Sequence, residues 1–525
     1  MAAGATRHYI SNLKDVDSMK CSFSYPTAIA NPKSLHFSNH KKYQELSSLS
    51  MNGCGGDPRA PLDTTETRSF PTAATPELAA DRLNSALFEL KSNPTPFESG
   101  IIRIEVPIQQ QIEALDWLRS QSQSLVLPRC YFSGRDSTTT TTLIQNQHQN
   151  ENANKKGRLV SVAGLGSAVF FRHLRPFSFD DWHSIKRFLS KKCPLIRAYG
   201  AIRFDPRSEI GSEWKGFGSF YFMVPQVEFD EFEGSSMIAA TIAWDNRLSM
   251  TYEKALAAVE ATMWQVSSGI RRLNGNAPRA ALLHQTHVPN ISSWDSAVKR
   301  ALDMINRKDS TLVKVVLARS SRVLTTVEID PLEWLTQVEG DNAYQFCLQP
   351  PESPAFIGNT PERLFYRQRL SVCSEALAAT RARGESEYLD LQIGQDLLSS
   401  PKDHHEFAVV RESIRRKLET VCSSISVEPY KALRKLPRVQ HLYAQLTGTL
   451  QNEDDEFKIL SILHPTPAVC GYPTEDARIL ISESGKDQGK YLIYSCYIMQ
   501  KCLTEECMLA LLDGLVVQRV NLLWE

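Results

Sequence analysis

Three ionisable residues stand where acid–base or metal chemistry would use them. Lys314 lies in Thr311-Leu312-Val313-Lys314-Val315-Val316-Leu317-Ala318-Arg319. The apolar neighbours predict a strand over 312–318 that is buried on both faces. Burial penalises the charged form of a lysine, which suits a general base working near neutral pH. The same letters fit an edge-strand lysine that blocks aggregation. Glu362 follows Gly358-Asn359-Thr360-Pro361, so an apolar run enters a turn and the acid sits just past it. Turns held by a rigid sheet often carry catalytic groups; an isolated surface glutamate is the alternative. Glu406 lies in Ser400-Pro401-Lys402-Asp403-His404-His405-Glu406-Phe407 and opens a predicted helix over 406–418. Phe407, Val410, Ile414 and Leu418 share one face of it. A carboxylate at that border could bind a hard cation such as Mg2+. The His404-His405 pair does not make a zinc site, because adjacent helical side chains point about 100° apart. His464-Pro465-Thr466-Pro467-Ala468-Val469-Cys470-Gly471 reads as a rigid, turn-rich segment.

The elements that must hold these residues alternate without a regular βα rhythm. Thr75 caps a helix with Pro76 at its first position, and Leu83, Leu87 and Leu90 continue its stripe. Ile101–Val106 alternates like a half-buried strand, and 112–118 is a second short helix. Strands are predicted at 158–162, 219–224 and 237–244. Helices are predicted at 252–266 and 294–305, with Trp294, Ala297, Ala301 and Ile305 on one face of the latter. Gly164-Leu165-Gly166 lacks the third glycine of a nucleotide loop and reads as a turn. This pattern predicts an α+β fold with large antiparallel sheets.

Composition narrows the function. The chain has 525 residues, and Lys+Arg and Asp+Glu balance at 59 each, so no basic excess points to nucleic acid or an anionic membrane. No apolar run approaches the roughly 18 residues of a membrane span. The 11 cysteines form no C-x-x-C pair and read as reduced thiols. Residues 1–70 are rich in Ser, Asn and Thr and poor in acids, like a chloroplast transit peptide followed by a disordered stretch, with folded structure from about Thr75. Residues 137–156 are of low complexity and predict a disordered loop.

Taken in order, five segments resemble the chorismate-utilising enzymes. They are Lys314-Val315-Val316-Leu317-Ala318-Arg319, Gly358-Asn359-Thr360-Pro361-Glu362-Arg363-Leu364, Ser374-Glu375-Ala376-Leu377-Ala378-Ala379-Thr380-Arg381, Ser400 to Phe407, and His464 to Gly471. Asp116-Trp117-Leu118 and Arg129 to Arg135 are similar to the plant isochorismate synthases within that family. The resemblance spans roughly Pro76 to Ser484. It implies an anthranilate-synthase-like two-sheet sandwich flanked by helices. It also implies isomerisation of chorismate to isochorismate in the chloroplast stroma, with Mg2+ as cofactor, in supply of salicylate and phylloquinone. Lys314 would be the base and Glu362 the acid. Ala379, Thr380 and His441 would line the substrate pocket, and Glu406 would be a magnesium ligand. Water as nucleophile implies that no glutamine amidotransferase subunit is needed.

From about Gly485 the resemblance stops. Family members continue with a Phe-Asp-Arg-Gly-Met-Tyr-Ala-Gly-Pro segment, further strands with a substrate-binding arginine, and a second magnesium-binding glutamate. Residues 485–525 are thus a non-family tail, and the C-terminal strands are expected to be missing. Codons for Lys501–Ala510, read from each third base, can spell Met-Phe-Asp-Arg-Gly-Met-Tyr-Ala-Gly, and Leu511–Glu525 can continue the family text. We infer that intron-derived sequence (about Gly485–Gln500) shifted the frame, so that the helix predicted over 508–517 is accidental. Little or no turnover is then expected of this chain. Transcript and gene sequencing is expected to find Gly485–Gln500 encoded by intron sequence; an exon encoding it in every transcript would refute the frame shift.

Overall fold

The computed structural model describes residues 50–121, 127–134, 158–266, 280–337, 343–453, 455–486, 495–500 and 507–517. In chain order the strands are β1 (Met51–Asn52), β2 (Thr64–Ser69), β3 (Ser99–Ile108), β4 (Arg129–Ser133), β5 (Leu159–His173), β6 (Tyr199–Ile202), β7 (Phe220–Phe232), β8 (Ser235–Asp245), β9 (Leu282–Val288), β10 (Lys314–Val315), β11 (Ser320–Thr325), β12 (Tyr344–Gln349), β13 (Ala355–Thr360), β14 (Arg363–Gln368), β15 (Ser371–Ala382), β16 (Cys422–Val427), β17 (Ala432–Lys435), β18 (Val439–Leu450), β19 (Gly471–Tyr472), β20 (Ser495–Gln500) and β21 (Cys507–Val517). The helices are α1 (Pro76–Ser92), α2 (Ala114–Ser120), α3 (Phe179–Arg187), α4 (Tyr252–Met263), α5 (Ile291–Ile305), α6 (Pro331–Thr336), α7 (Glu387–Ser399), α8 (Pro401–Glu419), α9 (Glu456–Leu463) and α10 (Thr474–Lys486).

The helices begin where the sequence supplies caps. Thr75 Oγ1 accepts the Leu78 N–H at 3.3 Å ahead of Pro76. Ser178 and Asp181 close a reciprocal capping box on α3, and Ser400 Oγ accepts the Asp403 N–H at 3.3 Å to start α8. Each cap satisfies a backbone donor that the helix itself cannot.

Two sheets form the body. The first runs β2-β3-β8-β7-β5-β4-β12-β13, with β1 beside β5 and β6 beside β7, and is antiparallel except for the β2–β3 and β1–β5 pairs. The second is built on β14-β15-β18, with β16 and β17 on the other edge of β18. α1 and α4 cover the first sheet at β3 and β8. α8 lays Phe407, Val410, Ile414 and Leu418, all essentially buried, onto β15, β16 and β18. Burying each such side chain contributes on the order of 2 kcal/mol. The α+β sandwich is therefore the observed architecture, and its sheets are joined through β21, which pairs with both β13 and β14.

That double pairing fixes the chain direction around Glu362. Gly358 faces Gly514 and Arg363 faces Ala510, and both pairings are antiparallel. β13 and β14 thus run in the same direction and in line. The turn expected at Gly358–Pro361 is instead a kink in one long strand. Pro361 has no N–H to give, so the ladder breaks there without reversing the chain.

Several other expectations are corrected. Ordered structure starts before Thr75: β2 lies within the stretch expected to be disordered, because its Thr-rich residues pair with β3. β3 is buried on both faces, and its inward Arg103 is ion-paired with Glu105, Glu228 and Asp230. Gly164–Gly166 lies inside β5, where Gly166 takes φ +67 next to an irregularity in the ladder. In α5 only Ala301 is buried. The tail does not form the helix predicted over 508–517: it is strand β21, because neighbouring edges outweigh local preference. Residues 1–49 and the loop expected over 137–156 lie outside the described residues.

Candidate active site

The site is built where β15 loses register against β18. Ala378 pairs with Leu442 and Thr380 with His441, which leaves Ala379 as an extra residue. Ala379 adopts φ +57, a left-handed conformation that costs a non-glycine residue on the order of 1 kcal/mol. The bulge sets Thr380 directly opposite His441, and Thr380 Oγ1 lies 3.0 Å from His441 Nδ1. Ala379 is buried beside them.

His441 is a neutral hydrogen-bonding group. Burial, and secondarily the positive charge of Arg434, pulls its pKa down to about 4. Arg434 stands opposite His441 across the β17–β18 pair. His441 Nε2 is buried with no hydrogen-bond partner among the described residues, which leaves one polar atom of the pair open to a ligand.

Behind this pair, Glu375 is fully buried between two arginines. Arg363 Nη2 donates to Glu375 Oε1 at 2.9 Å, and Arg434 Nη1 donates to Oε2 at 2.9 Å. Burial works against the Arg363 charge, but Glu375 together with Tyr344, Cys373 and Tyr443 outweighs it and holds the guanidinium above its ordinary pKa. Arg434 also lies over the Tyr443 ring, 3.9 Å from its centroid. Arg363 is the residue after Glu362. The carboxylate therefore anchors the kinked strand to the sheet that carries Thr380 and His441.

Lys314 departs from its expected setting. The long strand over 312–318 shrinks to β10, two residues paired with β19, and Val313 is 42% exposed, so the two faces are not both buried. Lys314 Nζ lies 3.2 Å from Glu406 Oε1, with side-chain exposures of 15% and 39%. The partner of the lysine is a carboxylate, not an apolar wall. One helical turn before Glu406, Asp403 is ion-paired with Arg381, the residue after Thr380. That pair ties the Lys314–Glu406 contact to the Thr380–His441 contact.

The magnesium expectation is tested by this donor set. Mg2+ takes six oxygens in near-octahedral geometry. Glu406 offers one carboxylate, and Lys314 Nζ already rests on it. Among the described residues no three His, Cys, Asp or Glu side chains gather as a metal nest. These residues do not by themselves fit a magnesium centre.

The structure thus brings Thr380 and His441 into contact, and Lys314 and Glu406 into contact, and links the pairs through Arg381–Asp403. Glu362 precedes Arg363, whose partner Glu375 also binds Arg434, the residue opposite His441. Sequence reasoning missed Glu375, Arg434, Arg381 and Asp403. One signal was available: a carboxylate inside the apolar Val372–Ala379 run has to find a cation.

The model of the chorismate binding enzyme family matches residues 89–491. The chain belongs to that family. It is 56% identical to the chloroplastic isochorismate synthase of Catharanthus roseus over 510 residues, covering 93% of this chain and 88% of that one. It is 54% identical to chloroplastic isochorismate synthase 2 of Arabidopsis thaliana over 493 residues, 90% and 87% of the two chains. Its place is therefore among the isochorismate synthases, enzymes that act on a small molecule. The solved structure of MenF, the menaquinone-specific isochorismate synthase of Escherichia coli, shares the fold. It matches with a TM-score of 0.65 at 21% identity over 84% of this chain and 94% of that one.

The histidine gives a pH test. A depressed folded-state pKa makes the neutral form native, so its stability is whole above about pH 6.5 and is lost as pH falls toward 4. NMR titration is expected to place the His441 midpoint near 4. A midpoint at its ordinary value would show that the ring is solvated and the Thr380 contact absent.

Proposed function

We propose that this site is built to convert chorismate to isochorismate by adding water at C2 and expelling the C4 hydroxyl. In this reading Lys314 takes a proton from water as its oxygen bonds to C2. The ring double bonds shift, the C4–O bond breaks, and Glu362 gives its proton to the leaving hydroxyl, which departs as water. One water enters and one leaves, so the step balances. Thr380, His441 and buried Ala379 would hold the ring between base and acid. The observation that carries the reading is the linkage of Lys314–Glu406 to Thr380–His441 through Arg381–Asp403, in a chain from the isochorismate synthase family.

The resemblance supports further particulars of the proposal. Its two most similar relatives named above are chloroplastic, which favours the plastid stroma. A 30% identical relative from Pseudomonas aeruginosa is a salicylate biosynthesis isochorismate synthase, and the plastid protein PHYLLO is 33% identical over 207 residues. Salicylate and phylloquinone supply are the proposed destinations. Water as the nucleophile leaves no role for an ammonia-supplying subunit. Magnesium dependence is proposed for the enzyme with the family frame restored, where a second carboxylate joins Glu406; no step here runs through the metal.

For this chain we propose a disabled site. On the reading that residues 485–525 stand in place of the family's substrate arginine and second metal carboxylate, electrostatic stabilisation worth roughly two to three orders of magnitude each is lost. The second reading, a non-enzymatic isoform, rests on Lys314 occupying Glu406. Product analysis with chorismate and Mg2+ is expected to show isochorismate from the frame-restored protein, and at most about a thousandth of that rate from this chain. In the restored protein, Lys314→Ala and Glu362→Gln should each lower kcat by roughly a hundredfold or more. Full turnover by either variant would overturn the assigned roles, and comparable rates for the two frames would overturn the disabled site.

A further inference from the structure

The kinked strand that carries Glu362 leaves a continuous edge to be filled. β12 pairs with one edge of β13, and β15 with one edge of β14. Because β13 and β14 run in line, their other edges align across the break at Pro361. An unfilled edge of this length would present a row of unpaired N–H and C=O groups.

β21 lies along both. Ala355–Gly358 face Val517–Gly514 in order, and Arg363–Arg367 face Ala510–Cys507. Leu511–Asp513 therefore pass beside Asn359–Glu362. Gly358 faces Gly514 where the strand crosses from one sheet to the other. The far edge of β21 is paired with β20, Ser495 facing Asp513 through to Gln500 facing Met508. At about 3.4 Å per residue, the 11 residues of β21 span both sheets.

We propose that the aligned edges of β13 and β14 form a strand-acceptor site, and that its occupant in this chain is the C-terminal segment Cys507–Val517, which splints the kink carrying Glu362. An acceptor of this kind binds chiefly through main-chain hydrogen bonds, so it tolerates any extended apolar segment without proline. Met508-Leu509-Ala510-Leu511-Leu512 and Leu515-Val516-Val517 meet that demand although they resemble nothing in the family. The tail is then a structural part of the fold rather than an inert appendage, whatever the fate of catalysis. The proposal does not depend on chorismate being the substrate.

Hydrogen exchange with mass spectrometry on the full chain tests it. The comparison is with Leu509→Pro/Leu515→Pro, which removes one donor from each half of β21, and with Leu509→Val/Leu515→Val, which keeps both. Amides of Ala355–Arg367 are expected to exchange at least about a hundredfold faster in the proline variant than in the full chain, with the valine variant unchanged. Unchanged protection in the proline variant would overturn the proposal. If that variant does not fold, the parent chain decides: slow exchange across Cys507–Val517 supports the splint, and exchange at the rate of a free peptide overturns it.

Discussion

A carboxylate shut away from water must be matched by positive charge, and Glu375 is matched twice. Arg363 comes from the kinked strand and Arg434 from the edge of the second sheet, each at 2.9 Å. Removing Glu375 would leave the buried Arg363 guanidinium without its counter-charge, which is the costly half of a buried ion pair. The arrangement matters because of what adjoins it. Glu362 precedes Arg363, and Arg434 faces His441. One buried charge therefore sets the distance between the strand bearing the proposed acid and the pair proposed to face the substrate. The Ala379 bulge completes the geometry from the other side, by bringing Thr380 level with His441.

Helix positions were legible in the sequence because their signals are local. Thr75-Pro76 marks a start that the structure keeps, and the Phe407–Leu418 stripe is the buried face of α8, although that helix opens at Pro401 under the Ser400 cap and not at Glu406. Strands were harder, since their partners are remote. Leu312–Ala318 has the letters of a central strand, yet only Lys314–Val315 pair, because β19 is two residues long. Gly358–Pro361 has the letters of a turn, yet direction there is set by β21, some 150 residues later in the chain. The same remoteness hid the Glu375 clamp. Its arginines lie 12 residues before it and 59 after it, and no periodicity connects them. The family motifs carried Lys314, Glu362, Thr380, His441 and Glu406 as a set where single residues did not. They did not foresee that Lys314 and Glu406 would neutralise each other.

β21 answers a demand of the backbone. It lies along the two strands whose edges needed a partner, and in doing so links both sheets. Main-chain pairing is indifferent to most side chains. Chemistry is not indifferent: an arginine for a carboxylate or a second metal ligand has no backbone substitute.

The central claim is that Glu375 and Arg363 act as one unit that locks the start of β14, next to Glu362, to the neighbouring strand β15. A double-mutant cycle on urea unfolding, using Arg363→Met, Glu375→Gln and the pair, measures it most directly. The account predicts that the two changes are strongly non-additive, with a coupling of about 1.5 kcal/mol or more. Additivity within about 0.3 kcal/mol would contradict it.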